Sequence, residues 1–265
     1  MRGRSDLDGR LVFITGGAGG IGYGMARAFA REGARIVIAD VREDLLHSAT
    51  EQLKEDGAEA ISVELDVRDA GRWESALDEA EARFGPLAVM CSNAGVAGSR
   101  LPLEDTDLRA LEWTFDVNVS GAFLAIQHAV PRLRRHGGSG HVVLTASMGA
   151  FLVRGGNGVY SASKAAIVAF AEALRFEFAS SPLGVSVLCP GLVSTDLISG
   201  NAERAPSGVS LGEHEPELEE AMRQALDPFE VGQAVVRGIY EGRFWLFTHP
   251  GLRTPLEERF NEILG

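Results

Sequence analysis

Short apolar runs alternate along this chain with longer stretches whose apolar residues recur at helical spacing. Arg10-Leu11-Val12-Phe13-Ile14-Thr15 and Arg35-Ile36-Val37-Ile38-Ala39-Asp40 are nearly continuous in apolar residues, as strands buried on both faces are. Between them, Tyr23 to Glu32 carries an amphipathic helical pattern that ends at Gly33. Extended along the chain, the pattern predicts strands at about 10–15, 35–39, 59–65, 87–91, 140–145, 184–189 and 244–247. Helices are predicted at about 20–32, 42–56, 69–84, 106–135, 159–179, 229–241 and 254–263. Strand and helix alternate without a linker. The expectation is an α/β doubly wound parallel sheet of about seven strands, with helices on both faces and one domain over residues 1–265.

Residues 194–228 interrupt this alternation. They are rich in Gly, Ser, Pro and Glu and show no firm period until Pro216-Glu217-Leu218. A connection of this length in a compact domain is usually a lid or binding loop, so a mobile substrate lid is expected there.

Composition narrows the function classes. A chain of 265 residues with 45% hydrophobic content can bury a sizeable single core. Its net charge of −12 argues against nucleic acid and anionic membrane surfaces as partners. No apolar run reaches the ~18 residues of a membrane span and no signal peptide is evident, so a cytoplasmic protein is expected. Cys91 and Cys189 lie in apolar strand-like runs and read as buried free thiols, which suits a reducing compartment. Arg132, Arg134 and Arg135 form a basic cluster at a predicted helix end and read as structural. The histidines lack metal-ligand spacing, and His136 and His141, beside a glycine turn, read as solvated. No metal site is expected. The absence of a Gly-x-Ser-x-Gly elbow leaves an acyl-transfer hydrolase unsupported.

Chemistry enters at the first glycine turn. Gly16-Gly17-Ala18-Gly19-Gly20-Ile21-Gly22 follows a strand and opens a helix, the context a dinucleotide phosphate requires. Gly16, Ala18, Gly19, Gly20 and Ile21 are therefore candidate phosphate contacts. The next strand ends in Asp40, which with Val41 is placed to meet the adenosine ribose. A carboxylate there repels a 2′-phosphate, so NAD is expected over NADP; Arg42 is the one nearby cation that softens this.

Tyr160 and Lys164 stand one helical turn apart, thirteen residues beyond Ser147. A phenol has an unperturbed pKa near ~10, too high for proton transfer at neutral pH. An ammonium at i+4 should favour the phenolate and pull that value down, while the Ser147 hydroxyl hydrogen-bonds the reacting oxygen. Residues 16–22, 40, 66–67, 93–95, 147 and 190–195 all fall at the carboxyl ends of predicted strands, where ligands bind in such sheets.

Together, Thr15-Gly16-x-x-x-Gly20-x-Gly22, Asn93-Ala94-Gly95, Asn118, Ser147, Tyr160-x-x-x-Lys164 and Pro190-Gly191 resemble the short-chain dehydrogenase/reductase family over nearly the whole chain. The resemblance implies that Tyr160 is the general acid/base. It implies that Lys164 binds the nicotinamide ribose and lowers the Tyr160 pKa, that Ser147 orients the substrate oxygen, and that Asn118 holds a water in a proton relay. It further implies that Asp66 and Val67 contact adenine, that Asn93, Ala94 and Gly95 turn toward the cofactor, and that Pro190, Gly191, Val193 and Thr195 cover the nicotinamide. Ser92 departs from the family pattern, which often has Asn there. The stretch Phe244 to Pro250 is similar to that of bacterial NAD-dependent aryl-alcohol dehydrogenases, the lignin-dimer Cα-dehydrogenases among them.

The expected activity is NAD-dependent interconversion of a bulky hydrophobic or aromatic secondary alcohol and its ketone. The substrate wall is expected from Met148, Phe151, Leu152, Val153, Leu197 and Ile198, under a lid loose around 198–215. A homotetramer packed through the helices at 106–135 and 159–179 is expected from the resemblance. Two alternatives stand beside this reading. Gly16-x-x-Gly19-x-x-Gly22 permits a nucleotide-sugar epimerase or dehydratase, but the large substrate domain is lacking and Asn93-Ala94-Gly95 points away. A catalytically silent NAD-binding regulator need not keep Ser147, Tyr160 and Lys164 together.

Overall fold

A computed structural model describes residues 7–135, 139–212, 216–223 and 225–265. β1 (Leu11–Thr15), β2 (Arg35–Asp40), β3 (Ala60–Glu64), β4 (Leu87–Ser92), β5 (His141–Thr145), β6 (Gly184–Cys189) and β7 (Trp245–Phe247) pair in parallel in the order β3-β2-β1-β4-β5-β6-β7. The helices are α1 (Gly20–Arg31), α2 (Glu43–Glu55), α3 (Ala70–Phe84), α4 (Leu108–Phe115), α5 (Gly121–Arg135), α6 (Gly158–Glu177), α7 (Asn201–Arg204), α8 (Pro216–Arg223), α9 (Pro228–Tyr240) and α10 (Arg253–Leu264). The doubly wound sheet is as the alternation predicts, in one domain.

β1, β4 and β5 are buried at every position, whereas the edge strand β3 alternates buried and open positions. One face of the sheet packs on Trp73 and Phe84 of α3, Ala125 and Ala129 of α5, and Ile167 and Leu174 of α6. The other packs on Met25 and Phe29 of α1, Leu46 and Leu53 of α2, and Val231 and Val235 of α9. α1 and α9 cross backbone to backbone. A Cβ on Gly24 would lie 2.1 Å from the Pro228 carbonyl oxygen, and one on Gly232 would lie 2.3 Å from that of Gly24.

Several expectations change. The helix predicted over 106–135 begins at Leu108, after the Asp107 carboxylate caps the Arg109 N–H at 2.9 Å, and is interrupted by a π turn at Asp116–Ser120. That turn holds Asn118, whose side chain bonds the Val96 main chain in both directions. His141 is not solvated. It is buried in β5 and shares a 2.8 Å hydrogen bond with Ser186, whose hydroxyl donates to the Arg243 carbonyl. Burial pulls its pKa down to about 4. His136 lies outside the described residues. Arg132 is structural: in the last turn of α5, as expected, it also forms ion pairs to Asp78 (2.7 Å) and Glu81 (2.6 Å) of α3. Both cysteines are buried and free, and burial pushes the Cys189 thiol up to about 12.

The largest departure concerns the lid. Over 194–212 it is packed rather than loose. Asn201, with no exposed surface, accepts from the Ala97 N–H (3.0 Å) and donates to the Gly98 carbonyl (2.8 Å). The Arg100 N–H donates to the Leu211 carbonyl, and Leu211 is buried against Val96, Ala110 and Trp113. Residues 213–215 lie outside the described ones. Among the described residues, no helix is long and apolar enough to cross a membrane, and no group of three or more acidic, His or Cys side chains is placed to hold a metal.

Candidate active site

Most candidate residues sit at the carboxyl ends of strands or in the turns and helix starts that follow, and the fold brings Asn118, Tyr160 and Lys164 to the same rim. After β1, Gly16 adopts φ +63°, and a Cβ on Gly22 would lie 2.1 Å from the Gly16 carbonyl oxygen. Only glycine permits this closeness. α1 then starts at Gly19 with no side-chain cap, which leaves first-turn N–H groups available to an anion. Thr195 stands opposite, its methyl 3.0 Å from where a Cβ on Gly20 would be. Between them runs a groove of about 580 Å³ lined in part by Ala18, Gly19, Gly20, Arg42, Thr195 and Asp196. Ile21 is half-buried beside it. An uncapped helix start over a glycine floor fits a dinucleotide pyrophosphate.

The acid at the end of β2 is buried and crowded. Asp40 Oδ2 accepts from the Ala18 N–H at 3.2 Å, and Oδ1 accepts from the N–H groups of Val41 (2.9 Å) and Arg42 (3.2 Å). Arg42 closes on both oxygens, Nε at 3.1 Å and Nη2 at 3.2 Å. Its remaining nitrogen, Nη1, donates to Asp196 Oδ2 at 2.7 Å. Arg204 completes the cluster, donating to the carbonyls of Asp196 (2.8 Å) and Leu197 (2.9 Å). Asp196 and Arg204 are contributions that the sequence reading missed. Their partners are distant along the chain, and no local pattern marks them.

Asn93, Ala94 and Gly95 are pinned to β1: the Asn93 and Ala94 N–H groups donate to Thr15 Oγ1 at 2.9 and 3.1 Å. This holds Gly95 against two catalytic candidates, since a Cβ there would lie 3.1 Å from Asn118 Oδ1 and 3.2 Å from Lys164 Nζ. Asn118 Nδ2 also donates to Ser163 Oγ at 2.9 Å, so both of its amide hydrogens have protein partners.

Ser147 follows β5 in extended conformation, its Oγ accepting from the Gly149 N–H at 3.0 Å. That leaves its hydroxyl proton for the Tyr160 oxygen. Burial raises the Tyr160 pKa and the Ser147 hydrogen bond opposes the rise. Lys164 lies one turn beyond Tyr160 on the same helix. Its buried Nζ donates to the Thr145 carbonyl at 3.0 Å and stands 5.8 Å from the Tyr160 ring centre. Burial brings the Lys164 pKa down to about 8.

Pro190 accepts from the Met148 N–H, and Gly191 donates to His249 Nδ1 at 3.0 Å. His249 Nε2 meets the Leu192 carbonyl at 2.9 Å, so this ring, from beyond β7, shapes the Pro190–Leu192 turn. Sequence reading missed that role as well. Val193 is buried and bridges to Leu226. Val41 is exposed beside Asp40. Asp66 is chelated by Arg68 (2.6 Å), which holds its carboxyl below the usual range, and the Val67 carbonyl accepts from the Trp73 indole at 2.9 Å.

The residues expected to form the substrate wall differ in exposure. Met148 is buried in the main core, and Ile198 is buried against Ala97 and Met222 beneath the lid. Ile198 also lines the groove beside Thr195 and Asp196. Phe151 is half-buried among Trp245, Phe247 and Phe260, and Leu197 is half-buried at the lid root.

Comparison with known proteins agrees with this geometry. The sequence profile of the short chain dehydrogenase family matches residues 10–205. The C alpha-dehydrogenase of a Sphingobium species is 31% identical over 264 residues, 98% of this chain and 87% of that one. The 1-deoxy-11-beta-hydroxypentalenate dehydrogenase of Streptomyces avermitilis is 35% identical over 259 residues, 97% of this chain and 91% of that one. Among solved structures, a short chain dehydrogenase/reductase from Burkholderia phymatum in complex with NAD has a TM-score of 0.91 at 29% identity, covering 98% of this chain and 95% of that one.

Proposed function

The chain belongs to the short-chain dehydrogenase family, oxidoreductases acting on CH–OH groups, and from that premise we propose that it interconverts a hydrophobic or aromatic secondary alcohol and its ketone with NAD. The observation that carries the reading is the convergence of Ser147, Tyr160 and Lys164 on the rim that also holds the glycine turn. The glycine turn, Asp40 and Thr195 would hold the dinucleotide, and Lys164 its nicotinamide ribose. When bound, the nicotinamide supplies the hydride acceptor or donor.

Tyr160 moves the proton. With its pKa raised by burial, the phenol carries that proton at neutral pH and is ready to give it to a carbonyl oxygen during ketone reduction. In alcohol oxidation the phenol must first be deprotonated, so the oxidation rate should climb with pH until the phenolate dominates. Ser147 donates to the same substrate oxygen and steers it onto Tyr160. The buried Lys164 cation favours negative charge on the substrate side of the phenol.

Asp40 supports NAD over NADP, its carboxylate opposing a 2′-phosphate. The Sphingobium relative is named for dehydrogenation at a Cα and the Streptomyces relative for a hydroxypentalenate, and half-buried Leu197 and Phe151 are apolar. These support a bulky apolar alcohol. Two free buried thiols support a reducing compartment, the cytosol, and open phenylalanines on α5 and α6 support a homotetramer.

The test is absorbance at 340 nm with NAD⁺ and a panel of secondary alcohols. Tyr160→Phe should lose about 100-fold or more in kcat while still binding NAD⁺, because the ring packs alike and only the proton carrier is gone. Retention of over about a tenth of the activity would refute the assignment.

A further inference from the structure

We propose that Asp196, at the root of the lid beside Thr195, sets the coenzyme choice by holding Arg42 away from a 2′-phosphate. This rests on the reading above, in which the adenosine ribose reaches Asp40.

Arg42 is the cation closest to the place where a 2′-phosphate would lie. Its Nη2 comes within 3.4 Å of where a Cβ on Gly19 would stand, and its Nε and Nη2 grip both oxygens of Asp40. Those contacts are local, two residues apart. The contact to Asp196 is different in kind: at 2.7 Å it is the shortest the guanidinium makes, and it crosses 154 positions to reach the lid. An ion pair of this exposure adds little to stability. Its effect is directional, because it takes up the nitrogen that the Asp40 pair leaves over.

The local charge balance gives the consequence. Asp40 and Asp196 balance Arg42 and Arg204, so an arriving 2′-phosphate meets no surplus of positive charge. Arg204 lies close, with its Nη1 3.8 Å from Asp196 Oδ2 and its buried Nε without a hydrogen-bond partner. Loss of the Asp196 charge leaves two guanidinium groups against one carboxylate, with Arg42 Nη1 released. A phosphate carrying nearly two negative charges can then pair with Arg42 in bidentate fashion. The pocket that rejected NADP⁺ becomes one that admits it. Asp40, paired with Arg42, opposes a 2′-phosphate less than a free carboxylate would, and Asp196 supplies the rest of the selectivity.

The test is direct calorimetric titration of NAD⁺ and of NADP⁺ into substrate-free protein, for wild type, Asp196→Asn, and Asp196→Asn combined with Arg42→Gln. Asp196→Asn should lower the ratio of the NADP⁺ to the NAD⁺ Kd by about tenfold, the effect of one released charge-assisted contact. In the Arg42→Gln background the gain should vanish. An unchanged ratio in Asp196→Asn overturns the proposal, and so does an equal gain without Arg42. Asp196→Ser serves as a second variant, so that a folding fault peculiar to one side chain cannot decide the matter. A wild type that prefers NADP⁺ would refute the NAD assignment instead, and the ratio would still answer the Asp196 question.

Discussion

Lys164 lies on α6 with 4% of its surface exposed and its charge opposed by burial, which brings its pKa from 10.5 to about 8. An unfolded chain therefore binds more protons at this site between about pH 8 and 10.5 than the folded one, so stability rises with pH through that window. Below it the buried ammonium carries the full penalty, at about 1.4 kcal/mol for each tenfold loss of proton affinity. Lys164→Met should accordingly abolish activity yet melt higher than wild type at pH 7, by an amount up to about 3 kcal/mol. That advantage should shrink as the pH approaches 10. Thermal melts of both proteins across pH 7–10 check this, and a variant less stable at pH 7 contradicts it. At this scale the sequence located Ser147, Tyr160 and Lys164, which the fold brings to one rim, but not their hydrogen-bond partners. The i+4 spacing does not reveal that the Lys164 Nζ donates to the Thr145 carbonyl, because only the tertiary fold sets that partner.

Elements were legible wherever periodicity was continuous. Buried central strands announce themselves as apolar runs, and α1, α3, α6 and α9 have amphipathic patterns with clear stops, so their placement was recoverable to within a few residues. The π turn at Asp116–Ser120 was not, because one inserted residue leaves the hydrophobic period nearly intact. The lid was misread for a different reason. Its polar, glycine-containing composition resembles a loose loop, and its order comes from long-range partners that composition does not reveal: Asn201 with Ala97 and Gly98, and Leu211 with Trp113. Asn201→Ala should therefore strand two backbone groups, each costing roughly 1–3 kcal/mol. We expect Tm to fall by about 5 °C or more, with the KM for the alcohol rising while NAD⁺ affinity holds. A melt and a two-substrate kinetic analysis check both parts. An unchanged KM would mean that the lid takes no part in substrate binding.

The whole molecule leaves apolar surface where a lone domain has no use for it. Phe123 on α5 is 49% exposed and Phe176 on α6 is 78% exposed, on adjacent helices covering one face of the sheet. Between these helices lies a depression of about 510 Å³ lined by Ile126, Val130, Pro131, Leu174 and Phe178 among others. Exposed apolar residues grouped on neighbouring helices mark association surfaces. A twofold arrangement would set α5 and α6 of one copy against the same helices of the next. The acidic net charge of −12 works against association in general, so the contact must be specific and locally apolar. The proposed homotetramer should show a light-scattering mass four times 28.3 kDa at micromolar concentration. Phe176→Glu places charge in the contact without touching Ser147, Tyr160 or Lys164, and should reduce the mass while leaving the fold intact by circular dichroism. A monomeric wild type would remove the tetramer from the proposed function. An undiminished mass in Phe176→Glu would move the interface to another face, where Phe247, Phe260 and Ile263 present the next open apolar group.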